Sequence, residues 1–133
     1  MTNKSKKILS EISAGELLDK ISILEIKLDK IKNNNDQKEI SKEYKLLKEA
    51  LDSNIKITEK IKKLFKEIRE VNLILWNIEN GIRTCEKNKD FGKKFTELSR
   101  AVYLNNDKRA KIKSEINEIL GSNIREIKQY SDY

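Results

Sequence analysis

Between Ile57 and Ile82, apolar residues recur at Ile57, Ile61, Leu64, Ile68, Val71, Leu75, Ile78 and Ile82, in alternating steps of four and three. This spacing lines one face of an α-helix and does not fit the alternation of a half-buried strand. The chain of 133 residues has no proline and four glycines, so almost nothing interrupts helices and the turn chemistry of a β fold is missing. The expected fold class is all-α.

The same reading divides the rest of the chain. Residues 1–12 are basic and weakly apolar and read as a flexible arm, with residues 13–133 forming a single helical domain. Ser13-Ala-Gly-Glu16 has the spacing of a capping box, in which the Ser13 hydroxyl accepts the Glu16 amide and the Glu16 carboxylate reaches back. A helix follows to Lys32 with Leu17, Ile21, Leu24, Leu28 and Ile31 inward, while Ile23 and Ile26 form a second edge for another helix or subunit. Asn33-Asn34-Asn35-Asp36 reads as a loop. A stripe of Ile40, Tyr44, Leu47 and Leu51 comes next, out of phase with the one that opens at Ile57. That mismatch predicts a bend or break near Asp52-Ser53-Asn54, the alternative being a stutter in one long helix. After a turn at Asn88–Gly92, a helix over 93–120 turns Phe95, Leu98, Val102, Ile112, Ile116 and Ile119 inward. Gly121 suits the residue after its end, and Ser122 would cap a short tail helix bearing Ile124, Ile127 and Tyr130. The expectation is a bundle of four or five helices built on a long antiparallel helical hairpin, with the first helix packed on it. Two apolar edges on the first helix favour a homodimer.

Charge excludes more than it assigns. The formal net charge is +7, yet residues 1–70 hold 17 Lys+Arg against 13 Asp+Glu and residues 71–133 hold 12 against 9. Interleaved signs make paired, solvated helix faces, including the one with Lys60, Lys62, Lys63 and Lys66, so nucleic-acid binding is not the expected role. Cys85 is the single cysteine and shares a stripe with Ile78 and Ile82, as a small buried hydrophobe would. Without histidine or a second cysteine, zinc sites of the common kinds, Ser-His-Asp triads and Cys-His nucleophiles are excluded. No apolar run suits a signal peptide or a membrane span, and the expected location is cytoplasmic.

Arginine is used sparingly. Three of the five arginines, Arg83, Arg100 and Arg109, fall between Leu75 and Asn117, where the planar guanidinium fork suits carboxylate or phosphate. Facing residues of an antiparallel hairpin about the Asn88–Gly92 turn have numbers summing to about 180. Glu79 then lies near Arg100, Arg83 near Glu97, and Asn72 near Asn105–Arg109. Asn105 and Arg109 occupy heptad positions where apolar residues are expected, and polar groups there must be hydrogen-bonded or wet. The candidate site is an anion pocket of Arg83, Arg100, Arg109 and Lys113 with Tyr103, Asn105, Asn106 and Asp107. The competing reading has Glu79, Glu97 and Asp107 neutralising those arginines internally. Ser13, Glu16, Glu79 and Trp76 are expected to be structural, although Trp76 and Tyr103 would also suit stacking on a base or sugar.

Glu67-x-x-Glu70, Glu115-x-x-Glu118 and Glu16-x-x-Asp19 offer a weaker alternative, carboxylate pairs for magnesium in an enzyme acting on phosphorylated small molecules. A chain with 22 acidic residues on helices produces such spacings by chance, so no metal or cofactor is expected in the leading reading.

Several segments carry a resemblance: Gly15-Glu16-Leu17, Asp19-Lys20-Ile21, Ile23-Leu24 and Ile26-Lys27; Leu75-Trp76, Ile78-Glu79, Ile82-Arg83 and Glu86; Arg100-Ala101-Val102-Tyr103, Asn106-Asp107 and Arg109-Ala110; and Gly121-Ser122. From Ile12 to Tyr130 the chain resembles an uncharacterised bacterial all-helical family of about this length, a domain of unknown function often encoded among glycosyltransferase and polysaccharide genes. The resemblance implies no catalytic residues. It implies a glycosyltransferase as one candidate protein partner, and the leading expectation is a small binding or adaptor module that recognises an anionic ligand or a protein. Where the family pattern has an acidic residue after Glu79 and two before the terminal Lys-x-Tyr, this chain has Asn80 and only Glu126.

Overall fold

The computed structural model describes residues 6–133; residues 1–5 of the expected basic arm lie outside the described residues. Four helices and no strand are found among them: α1 (Ala14–Lys30), α2 (Asn34–Asn54), α3 (Glu59–Lys87) and α4 (Lys93–Leu120). None is long and apolar enough to cross a membrane.

The boundaries follow from local capping. Ser13 Oγ accepts the Glu16 N–H at 3.1 Å and starts α1. Only half of the expected capping box forms, because the Glu16 carboxylate turns to Lys113. Asn33 Oδ1 accepts the N–H groups of Asn35 and Asp36, so the Asn33–Asp36 segment opens α2 where a loop was expected. Thr58 caps α3 through the Ile61 N–H, which leaves Ile57, the first residue of the α3 stripe, in the Ile55–Thr58 break. The phase mismatch therefore marks two helices, and the break falls just after Asn54. Gly121 closes α4 in the left-handed region, at φ 61°. No helix follows it, contrary to the expected tail helix, because the Ser122 hydroxyl is taken by the Ala14 N–H at 2.8 Å.

Helix α1 is the centre of the bundle. It packs on α2, α3 and α4, while the backbone of α2 approaches that of α1 alone. Leu17, Leu18, Ile21, Ile61, Leu64, Ile68, Ile112 and Ile116 form the common core with Leu51 and Val71. Fully burying one such side chain contributes about 1.5–3 kcal/mol, so this cluster dominates the cohesion of the fold. A second buried row on α1, Gly15, Asp19, Ser22 and Ile26, repeats the four-three-four spacing with mostly polar or small residues. That row faces α3 and α4: Asn72 and Arg109 both bond to Asp19, and Gly15 lies against Lys113. Farther along the same helix pair, Gly81 lies against Leu98, and Cys85 is buried as its stripe predicts. Ile119, expected inward, is 41% exposed, since α4 there extends beyond the apolar cluster.

Candidate functional site

Asp19 is the focus of the buried polar groups. It has no exposed surface, and an ionised carboxylate in that position requires partners at both oxygens. Arg109 supplies a fork from α4, with Nε donating to Oδ1 at 2.9 Å and Nη2 to Oδ2 at 2.5 Å. Asn72 of α3 donates its amide to Asp19 Oδ1 at 2.9 Å and to Ser22 Oγ at 2.8 Å; the Ser22 hydroxyl donates in turn to the Asp19 carbonyl at 2.7 Å. Lys113, one turn beyond Arg109, places Nζ 3.9 Å from Asp19 Oδ2 and donates at 2.8 Å to both Glu16 and Glu126. Two cations and three carboxylates therefore share one site, and among the described residues no buried side-chain nitrogen or oxygen lacks a partner.

The environment shifts these groups in definite directions. The hydrogen bond to Asp19 raises the Arg109 pKa, with burial opposing it. Burial pulls the Lys113 ammonium down, but hydrogen bonds to Glu126 and Glu16 and the charge of Asp19 outweigh it, and the net shift is upward. The Lys113 hydrogen bond holds Glu126 below the usual carboxylate range.

The N-terminus of α1 is built into the same region. Its first three N–H groups go to three different side chains: Ala14 to Ser122 Oγ, Gly15 to Asn117 Oδ1 at 2.6 Å, and Glu16 to Ser13 Oγ. Two of these acceptors stand more than a hundred residues away, so the start of α1 and the end of α4 are capped as one unit. Gly15 is required by that approach, since a Cβ there would lie 2.5 Å from the Lys113 carbonyl oxygen.

The eight candidate ligand-binding residues do not form one ring. Arg109 and Lys113 meet at Asp19. Arg83 lies on a groove of about 380 Å³ with Trp76, Ile23, Ile26, Leu75 and one flank of Arg109. It pairs with Glu79 of its own helix at 3.6 Å instead of crossing to Glu97, which pairs with Lys93. Arg100, expected beside Glu79, is exposed with no ion pair among the described residues; Glu79 and Glu97 each take a partner one turn away on their own helix in place of one across the helix pair. Asn105 satisfies itself by donating to the Ala101 carbonyl at 2.8 Å. Tyr103, Asn106 and Asp107 line a separate groove of about 300 Å³ against the tail, where the Tyr133 hydroxyl donates to Asp107 and the Tyr133 ring tilts against Tyr103 at 5.2 Å. Of the carboxylate pairs, Glu16 and Asp19 are held by Lys113 and Arg109, and Glu115 and Glu118 are exposed. Among the described residues no three Cys, Asp or Glu side chains come together as a metal site.

The sequence pointed to Asp19 only as half of a carboxylate pair and within a family segment, and to Glu126 only as a departure from the family pattern; it did not point to Ser22 or Asn117. The signal for Asp19 and Ser22 is the row Gly15, Asp19, Ser22 and Ile26, which has the spacing of a core stripe. Asn117 and Glu126 carry no such signal.

A family model described as a family of unknown function, DUF6165, matches residues 8–132, and the chain belongs to that family. No curated protein and no solved structure matches the chain.

Proposed function

We propose that this member of DUF6165 is a non-enzymatic helical binding module, with residues 13–133 acting as one domain, that recognises a protein segment carrying an acidic group beside an apolar one. The observation behind this reading is that Trp76 and two of the three clustered arginines, Arg83 and Arg109, line one groove floored by Ile23, Ile26 and Leu75. Trp76 is half-buried and stands outside the common core. Arg83 is 79% exposed and, among the described residues, tied only to Glu79, so its guanidinium is available to an incoming carboxylate or phosphate. An apolar floor with a cation at its rim suits an acidic amphipathic segment. The reading takes α3 and α4 as an antiparallel hairpin, supported by Gly81 against Leu98 and by Asn72 and Arg109 at Asp19. Self-association through exposed apolar residues such as Ile74 belongs to the same reading, and a glycosyltransferase is one candidate for the other partner.

Trp76 is the only tryptophan, so its emission reports on this groove directly. Acidic amphipathic peptides are titrated into the protein, and into Arg83→Ala, at two salt concentrations. The expected result is a saturable change in emission, weakened by salt and lost in Arg83→Ala with helicity unchanged. Unaltered emission with every peptide would overturn the assignment. Sedimentation over a range of concentrations tests self-association separately.

A further inference from the structure

A third groove lies between α4 and the tail, adjoining the Tyr103 groove at Lys128. Lys111, Lys113 and Ser114 of α4 and Glu126, Ile127 and Lys128 of the tail contribute to a half-open groove of about 330 Å³. Three lysines therefore face one carboxylate within it. Glu126 is bonded to Lys113 at 2.8 Å, while Lys111 and Lys128 make no ion pair among the described residues, the Lys128 ammonium lying 5.6 Å from the centre of the Tyr130 ring. The two hydrogen-bonded carboxylates of Lys113 are not equivalent. Their exposures are similar, 39% for Glu16 and 47% for Glu126, but Glu16 stands on α1, which is packed into the bundle, and Glu126 on a segment without helix. Besides Lys113, that segment is held by polar contacts from Asn123 to Glu11 of the non-helical stretch before α1, at 2.9 Å, and from Tyr133 to Asp107 of α4. Displacing the Glu126 side chain therefore breaks only a few exposed contacts, and the mostly buried Lys113 ammonium then keeps Glu16 at 2.8 Å and Asp19 at 3.9 Å and has a released N–H donor for an incoming anion oxygen.

We propose that this groove is an oxyanion site occupied in this structure by the chain's own Glu126 carboxylate, and that a small-molecule phosphate group binds beside Lys113 in its place. Lys111 and Lys128 flank the bound group, and the Ser114 hydroxyl is a further donor. A phosphate has more acceptor oxygens than a carboxylate and can meet Lys113 and the flanking lysines together. The Glu126 side chain alone is then exchanged at Lys113 when the site is filled, while Lys128 stays at the groove.

The test compares the full chain with Glu126→Gln, which keeps the shape of the side chain and removes its charge. Inorganic phosphate and, in a second arm, a nucleoside diphosphate are titrated calorimetrically at constant ionic strength. Removing the internal competitor is expected to tighten binding by about 5–10-fold, as for a site otherwise free only part of the time. Lys111→Ala with Lys128→Ala in the Glu126→Gln background is expected to weaken it again. Tighter binding of the diphosphate identifies a nucleotide as the source, and equal binding identifies free phosphate. Equal affinity in the full chain and Glu126→Gln, absence of binding in both, or the same response to chloride would overturn the proposal. Because the Trp76 groove has other residues, failure here leaves the fluorescence result unaffected.

Discussion

Arg109 grips Asp19 with two parallel donors, Nε to Oδ1 and Nη2 to Oδ2, across a carboxylate that has no contact with solvent. The arrangement fastens α4 to α1, and Asn72 extends it to α3. Polar bonds of fixed direction set the register of three helices whose apolar contacts alone would tolerate sliding.

Arg109→Met is expected to leave Asp19 buried with its charge largely unpaired and to cost about 3–5 kcal/mol. Adding Asp19→Asn should recover part of the loss, because the unpaired charge is removed. Arg109→Lys should fall between, since an ammonium cannot reproduce the fork. Urea unfolding of the four proteins checks this; a change under 1 kcal/mol in Arg109→Met would show that the pair does not fasten the helices.

Three glycines separate close approach from backbone conformation. Gly15→Ala drives Cβ into the Lys113 backbone carbonyl at 2.5 Å and should cost about 1–3 kcal/mol through overpacking. Gly81→Ala meets only the Leu98 side-chain end at 3.0 Å, so its loss should be smaller and partly offset by better helix propensity, about 1 kcal/mol. Gly121→Ala has open space but φ +61° and should cost about 1–2 kcal/mol. Thermal unfolding of the three variants should rank them with Gly81→Ala the mildest.

Ser122→Ala removes the acceptor of the Ala14 N–H and should destabilise by about 1 kcal/mol, comparable to loss of a helix N-cap. Hydrogen exchange at Ala14 should accelerate although the substitution lies 108 positions away. An exchange rate equal to the parent's would remove this cap from the account.

Tail docking should depend on pH at both ends of the scale. Glu126 is lowered by its Lys113 hydrogen bond, so its contribution is present above the ordinary value of 4.5 and lost as pH falls through the depressed folded value. Tyr133 is raised, first by its hydrogen bond to Asp107, so its contribution is present below 10.0 and lost as pH rises through the elevated folded value. Tail amide resonances followed by NMR should hold steady between these limits and move beyond them, and Glu126→Gln should abolish the acid limb attributed to Glu126.

Periodicity and capping residues located the four long helices, because both are local: the stripe of Ile61, Leu64 and Ile68 needs no knowledge of what it packs against, and Ser13 or Gly121 acts on its immediate neighbours, although the same cues at Ser122 predicted a tail helix that does not form. The pairing of residues was legible only in part. The hairpin register brought Asn72 toward Arg109, and they do meet, yet through Asp19 of a third helix that register arithmetic could not see. Arg83 and Glu97 satisfied the same arithmetic and do not pair, because flexible exposed side chains choose the nearest partner.

The local physics written into the chain, no proline, four-three spacing and side chains that cap their own helices, is sufficient to make it helical and to say where its apolar faces lie. Which arginine would be buried, why Ser122 caps a distant helix instead of starting one, and which lysine the tail would cover were settled by packing. Only when α1 is packed against α3 and α4 does Asp19 lose water, and it is this desolvation that gives Arg109, Asn72 and Lys113 their roles.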